Sequence, residues 1–420
     1  MTLLMESQTV EDQAIKAKKA ANVLKMLDTE TKDRALEKLA DELEANIPYI
    51  LDENAKDLET GRKKGYDEAY MDRLKLSESR IKDFSSGLRK LIDLEDPAGI
   101  IQEKWELENG LSAEKVSVPL GVIGMIYEAR PNVTADAAGL ALKSGNAIVL
   151  KGGSSALYSN QAIVNILHQG LSKTDIPEDA VQFISSTDRK AAQELFTMKE
   201  YIDVLIPRGG GALINAVVEN ATVPVLETGV GNCHIYVDKH ADTEKALSII
   251  VNAKTDRPAV CNAAETVIVH KEWLFANKDI LDETLKSNQI KVHADQAAMN
   301  VLDGAAAAGE PDWADEYLSL DVAVKTAENM DDAIHHIDRY GTKHSEAIIT
   351  EDADSAEEFL NRVDAAAVYH NASTRFTDGS ALGFGAEIGI STQKLHARGP
   401  MGLPALTTTK LKLKGNGQIR

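Results

Sequence analysis

One thiol in this chain stands where a nucleophile could work. Cys261 lies in NAKTDRPAVCNAAETVIVH, just ahead of the apolar run TVIVH and four residues after Arg257. A thiolate is a strong nucleophile, and a nearby cation or helix N-terminus lowers the thiol pKa and raises the reactive fraction. The competing reading is a buried cysteine that packs as a small hydrophobe. Cys233, in GVGNCHIYVD at the head of an apolar strand, is better explained in that second way. With only two cysteines the chain has no disulfide framework and too few soft ligands for a thiolate metal site.

Three further places could carry chemistry. Lys151 ends the apolar run AIVLK and is followed by GGSS, which includes Ser154. Arg208, Gly209 and Gly210 follow the run DVLIP in the same way. Ligands bind at the carboxyl ends of parallel strands, where glycines and a helix N-terminus let backbone amides approach a phosphate. Neither segment is a GxGxxG or Walker sequence, so an ordinary strand-to-helix turn competes with each reading. Asn132, in EARPNVTAD, offers an amide that could donate to a developing oxyanion, against the alternative of a turn-forming or helix-capping asparagine.

These residues need elements to position them. Residues 10–95 read as a helical lead-in, with Ala35, Leu36, Leu39, Ala40 and Leu43 at helical spacing and Ser77 as an N-cap. Residues 104–118 alternate apolar and polar about Asn109-Gly110, which predicts a protruding β-hairpin. From Gly121 short apolar runs (GVIGMIY, AIVLK, VQFIS, DVLIP, VPVLE) alternate with helical stretches, the pattern of a parallel sheet with right-handed crossovers. A second series (HIYVD, TVIVH, IKVHA, LDVAVK, EAIIT, AAAVYH) predicts a second α/β domain over about 234–371. The glycine-rich stretch from Ser373 to Gly402 reads as binding loops, and TTTKLKLK as a terminal strand.

Composition narrows the function classes. Apolar residues make up 43% and charged residues 27%, as in a soluble globular protein, and no apolar run reaches the ~20 residues that cross a bilayer. The N-terminus lacks the features of a secretory signal, so the expected location is cytoplasmic. A formal charge of -20 repels nucleic acid, and an anionic substrate would need a local basic pocket. Arg375, Lys394, His396 and Arg398 make the glycine-rich segment such a place, unless they neutralise acids such as Asp378 and Glu387. The ten histidines show no HExxH spacing, and no metal is expected.

The order PLGVIGMIYEARPN, SGNAIVLKGG, ETGVGN and a cysteine about thirty residues on resembles the aldehyde dehydrogenase superfamily. Within it, RPNVTADAAGLALKSGNA, PRGG, RPAVCNAAET and NASTRFTDGSALGFGAEIGISTQKLHARGPMGL are similar to the glutamate-5-semialdehyde dehydrogenase family, over essentially the whole chain. The resemblance implies two parallel-sheet α/β domains, a Rossmann-like cofactor domain and a catalytic domain, plus a small β oligomerisation element. It places the N-terminal helices and cofactor domain at 1–233, with hairpin 104–118 in the oligomerisation element. The catalytic domain takes 234–371, a return segment to the active site 372–402, and an oligomerisation strand 403–420.

By resemblance Cys261 is the nucleophile and Asn132 the oxyanion donor. Lys151, Ser154, Arg208, Gly209, Gly210, Glu227 and Glu316 line the cofactor, and Arg257, Lys394 and Arg398 meet substrate. Glu227 matches the general base of hydrolytic relatives, a role that a reductase does not require. The implied reaction is NADPH-dependent reduction of glutamyl 5-phosphate in proline biosynthesis, downstream of a glutamate 5-kinase, by a homodimer or homotetramer. NADP(H) is favoured over NAD because LKGGSS sets hydroxyls and no carboxylate beside Lys151. One departure is Asp256, where the family pattern has glutamine, beside the arginine expected to activate the thiol.

Overall fold

A computed structural model describes residues 9–420 and divides into two compact units. The first takes in the chain to Glu227 together with 384–389 and 401–420, and the second comprises 228–383 and 390–400.

In the first unit the predicted lead-in is five helices, Val10–Leu24, Thr29–Ala45, Ile47–Lys64, Glu68–Leu74 and Glu78–Ile92. Polar side chains start four of them: Thr9, Asp28, Asp67 and Ser77 each accept an N–H of the first turn. The stripe Ala35, Leu36, Leu39, Ala40 and Leu43 is wholly buried, and each leucine there stabilises the unit by roughly 2 kcal/mol. Lys32 and Asp96 form a buried ion pair in the same layer.

Beyond the helices lies a four-stranded parallel sheet, ordered Val181–Phe183, Ala147–Gly152, Val122–Tyr127, Val204–Arg208. The strands are apolar because both faces are covered. The run VPVLE is not a strand: it makes one isolated parallel bridge, Leu205 to Val225. Pro224 has no N–H to give, although its carbonyl accepts from Leu205.

A separate antiparallel sheet joins Ile101–Glu106, Ser112–Pro119 and Thr407–Lys414. The hairpin turns at Asn109-Gly110 as expected, with Gly110 at φ 78°, a conformation that favours glycine. Ile101, Trp105, Leu411 and Leu413 of this sheet are exposed.

The second unit holds a seven-stranded parallel sheet. Its order is Ala306–Ala307, Lys291–Ala294, Asp321–Ala327, Ala264–His270, Cys233–Val237, Ser345–Ile349, Ala367–His370. All six longer strands were expected from their apolar runs. Ile235, Val237, Val267, Val269, Val324 and Ile349 form its core with the helices Thr243–Thr255 and Lys271–Ser287. The glycine-rich segment supplies a two-stranded ribbon, Ile390–Ser391 with Gly399–Pro400. Among the described residues no helix is long and apolar enough to cross a membrane, and no cluster of His, Cys, Asp and Glu could hold a metal.

Candidate active site

Cys261 follows the helix Thr243–Thr255 and precedes the strand Ala264–His270, in a turn that leaves it partly exposed. Its main chain is clasped from one side by the segment 231–233. Gly231 lies so close that an added Cβ would overlap the Cys261 carbonyl group and come within 2.7 Å of its Cα. Two residues on, the Cys233 thiol donates to the same carbonyl oxygen at 3.2 Å. Cys233 is completely buried, and burial pushes its thiol pKa well up, so it stays protonated and serves as that donor.

The clasp is itself anchored. Gly231 N–H donates to Glu316 Oε1 at 2.9 Å. Asn232 N–H donates to Thr342 Oγ1 at 3.0 Å, and its side-chain amide donates to the carbonyls of Trp313 and Tyr340. Leu318 N–H, two residues after Glu316, donates to Glu265, whose carboxylate makes a fully buried 2.6 Å pair with Lys254. Glu316, expected at the cofactor ribose, therefore already orders the loop behind Cys261.

On the other side, Asn262 ties the thiol turn to the glycine-rich segment. Its side-chain amide donates to the carbonyls of Thr377 and Arg375, its main-chain carbonyl accepts from Thr374 Oγ1, and Arg375 donates to Asn262 Oδ1. Arg375 also meets Asp256, through Nε at 3.1 Å and NH2 at 3.0 Å. The unexpected aspartate thus pairs with an arginine 119 positions away, while its neighbour Arg257 is exposed.

Lys394 and Arg398 converge on a different carboxylate, Asp364. Lys394 Nζ and Arg398 NH2 each stand 2.8 Å from it, and Lys343 Nζ 3.2 Å. Hydrogen bonds from Lys394 and Arg398 hold the Asp364 carboxyl well below its usual range. Three cations on one carboxylate leave an excess of two positive charges.

The remaining predicted residues lie in the first unit. Lys151 occupies the end of strand Ala147–Gly152, is 8% exposed and donates to the Gly152 carbonyl at 2.9 Å. Burial lowers its pKa. Ser154 is exposed at the start of the next turn. The helix after it, Leu157–Leu171, does not offer its first amides to a ligand, because the N–H groups of Tyr158 and Ser159 donate to Asp57. A carboxylate from the helical lead-in thus takes the first amides of the helix that follows Ser154.

The second cradle is more open. Arg208 ends its strand, Gly210 begins the helix Gly211–Asn220, and an added Cβ on Gly210 would meet nothing within 4 Å. Gly210 N–H donates to Glu128 Oε2 at 3.2 Å. Glu227 follows Leu226, whose N–H donates to the Leu205 carbonyl, and is half-buried.

Asn132 is the first residue of the helix Asn132–Lys143, after Pro131, whose side chain caps nothing. Its Nδ2 donates instead to Asp136 Oδ2 at 3.1 Å. Burial pushes the Asp136 pKa up to about 6, against the lowering effects of the Asn132 hydrogen bond and of Arg208. The sequence reading passed over Asp136, Asp57, Glu128 and Asp364. For Asp136 the signal was available, one helical turn beyond Asn132 in RPNVTAD.

Comparison with known proteins places this cysteine and its α/β framework in a family. The model of the aldehyde dehydrogenase family matches residues 4–302. The chain belongs to that family. It is 66% identical, over 99% of its length and 98% of the relative's, to gamma-glutamyl phosphate reductase 2 of Bacillus licheniformis. A crystal structure of gamma-glutamyl phosphate reductase from Thermotoga maritima superposes with a TM-score of 0.96 at 47% identity, covering 98% of this chain and 100% of that one. An engineered glycolyl-CoA reductase with bound NADP+ shares the fold, with a TM-score of 0.69 at 16% identity over 96% of each chain. Family membership makes the protein an oxidoreductase.

Proposed function

We propose that the protein reduces L-glutamyl 5-phosphate to L-glutamate 5-semialdehyde and phosphate with NADPH, as a step of proline biosynthesis. The observation that carries this reading is the full-length, 66% identity to a gamma-glutamyl phosphate reductase. Cys261, the accessible thiol of the two, supports a covalent route. In that route its thiolate attacks the acyl carbon, the carbon–oxygen bond to phosphate breaks, and a thioester forms. Reduction of the thioester then breaks the carbon–sulfur bond, releases the aldehyde and restores the thiolate. The Asn132 amide is the proposed donor to the oxyanion at both stages, an interaction worth roughly 3 kcal/mol in comparable sites. No water must attack the thioester, so Glu227 is assigned to the cofactor's surroundings and not to general-base work.

Members of this family use nicotinamide cofactors. The chain's residues fit one: Gly210 has open space at its Cα, the Ser154 hydroxyl is exposed, and both follow ends of parallel strands. NADPH, when bound, supplies the hydride. Gly209, Gly210 and Arg208 would hold its phosphates, Lys151 and Ser154 its adenosine ribose or 2'-phosphate, and Glu316 its nicotinamide ribose. Arg257 is assigned to the leaving phosphate, and the excess positive charge of Lys394 and Arg398 about Asp364 to the substrate's α-carboxylate. Residues 1–233 would then form the helical lead-in and cofactor domain, 234–371 the catalytic domain and 372–402 its return segment. The hairpin 104–118 and the strand within 403–420 would join protomers.

NADP reduction with glutamate 5-semialdehyde, followed with and without inorganic phosphate, tests the reading. Strict dependence on phosphate supports an acyl-phosphate reductase. Equal rates without phosphate would identify a hydrolytic aldehyde dehydrogenase and overturn it.

A further inference from the structure

We infer that Asp136 is a positioning residue, which fixes the Asn132 amide so that one of its N–H groups is presented to the reacting oxygen. The inference rests on the reading of Asn132 as the oxyanion donor.

A terminal amide is ambiguous, since a half-turn about its last bond exchanges a donor for an acceptor. An oxyanion site tolerates only the donor. Something must therefore select the orientation, and a helix alone does not. Asn132 sits in the first turn of its helix, and among the described residues its side chain bonds to Asp136 and to no main-chain group. Its Nδ2 donates to Asp136 Oδ2, one turn further on the same face. An ionised carboxylate only accepts hydrogen bonds, so it draws Nδ2 toward itself and turns Oδ1 away. One hydrogen of Nδ2 is then committed to Asp136, and the second is left for a ligand oxygen.

The hydrogen bond to Asn132 is the one its carboxylate makes among the described residues, and it forms no ion pair. The face of the helix Glu78–Ile92 next to it presents Gly87, whose added Cβ would stand 3.9 Å from Asp136 Oδ1. The charge acting on it from the neighbouring strand is Arg208. A half-buried carboxylate with one weak partner costs stability when ionised, as its raised pKa reflects. Such a cost is expected of a group kept for function.

Asp136→Ala, Asp136→Asn, Asn132→Ala and the Asn132→Ala/Asp136→Ala double variant, all in the full chain, test the inference by kcat, KM and melting temperature. Asp136→Ala should lower kcat by roughly tenfold to a hundredfold, as expected when a catalytic group is misplaced, with the KM for NADP within twofold. Asp136→Asn, whose own carbonyl can accept from Nδ2, should restore kcat to within about threefold at pH 7.5. Wild-type kcat should fall as pH drops through about 6, where Asp136 takes up its proton, and Asp136→Asn should lack that limb. In the Asn132→Ala background, Asp136→Ala should cost nothing further.

Full kcat in a folded Asp136→Ala protein, or additive losses in the double variant, would overturn the inference while leaving the oxyanion reading intact. A rise in the KM for the semialdehyde alone would make Asp136 a substrate contact and also overturn it. Wild-type kcat in Asn132→Ala would remove the oxyanion reading and this inference with it. Should Asp136→Ala not fold, the pH profile of Asp136→Asn decides, and a persistent acid limb would refute the assignment.

Discussion

Gly231→Ala should disable the enzyme without touching any group that reacts. The added methyl would overlap the Cys261 carbonyl and stand 2.7 Å from its Cα, where ordinary carbon–carbon contact is about 3.5 to 4 Å. Gly231 does not have a left-handed backbone, so alanine brings no conformational strain, and the whole effect is steric. Relief requires the two main chains to part by about 1 Å or more. Gly231 is held by Glu316 and its neighbour Asn232 by Thr342, Trp313 and Tyr340, so the clasp cannot take up the whole movement and part of it falls on the thiol turn. A displacement of about 1 Å at a reacting group costs on the order of a hundredfold in rate, and overpacking costs about 1 to 3 kcal/mol of stability. The assay is kcat for semialdehyde oxidation together with the rate of Cys261 alkylation by iodoacetamide and the melting temperature. A folded Gly231→Ala protein with kcat within fivefold of wild type would refute the claim that this contact sets the thiol's position.

Cys261→Ser should abolish turnover in a folded protein, whereas Cys233→Ser, which keeps a donor to the Cys261 carbonyl, should retain most activity; a dead but folded Cys233→Ser protein would reverse the two assignments. Lys151→Ala should raise the KM for NADP more than that for NAD, and equal losses would show that Lys151 does not read the 2'-phosphate. Arg398→Gln and Lys394→Gln should each lose roughly thirtyfold in efficiency with glutamate 5-semialdehyde and far less with a simple aldehyde; parallel losses with a lower melting temperature would mean that the cluster about Asp364 is structural. Deleting residues 411–420 should lower the mass seen by light scattering, since the exposed Leu411 and Leu413 lie on that strand, and an unchanged mass would place the interface elsewhere.

The parts of the fold that were legible are those fixed by local pattern. Strands buried on both faces are apolar throughout, so runs such as GVIGMIY and TVIVH announce themselves, and Asn109-Gly110 marks its hairpin. VPVLE has the composition of a strand, but the proline removes a donor that a full ladder needs. The candidate nucleophile was legible from its setting, yet the clasp around it was not. Gly231 and Cys261 lie thirty positions apart and meet through main chain, which carries no residue-type signal. The same holds for the partners of charged groups. Asp57 caps a helix 101 positions away, and Asp256 finds Arg375 119 positions away, pairings that only the tertiary structure creates.

In the proposed route phosphate, and not water, discharges a thioester on Cys261. Mixing enzyme, NADP and glutamate 5-semialdehyde without phosphate, then following NADPH and the mass of the Cys261 peptide, tests it directly. The expected result is a burst of one NADPH per subunit with an acyl adduct on Cys261, followed by steady turnover once phosphate is added. Steady turnover without phosphate, or a burst that persists in Cys261→Ser, would contradict it.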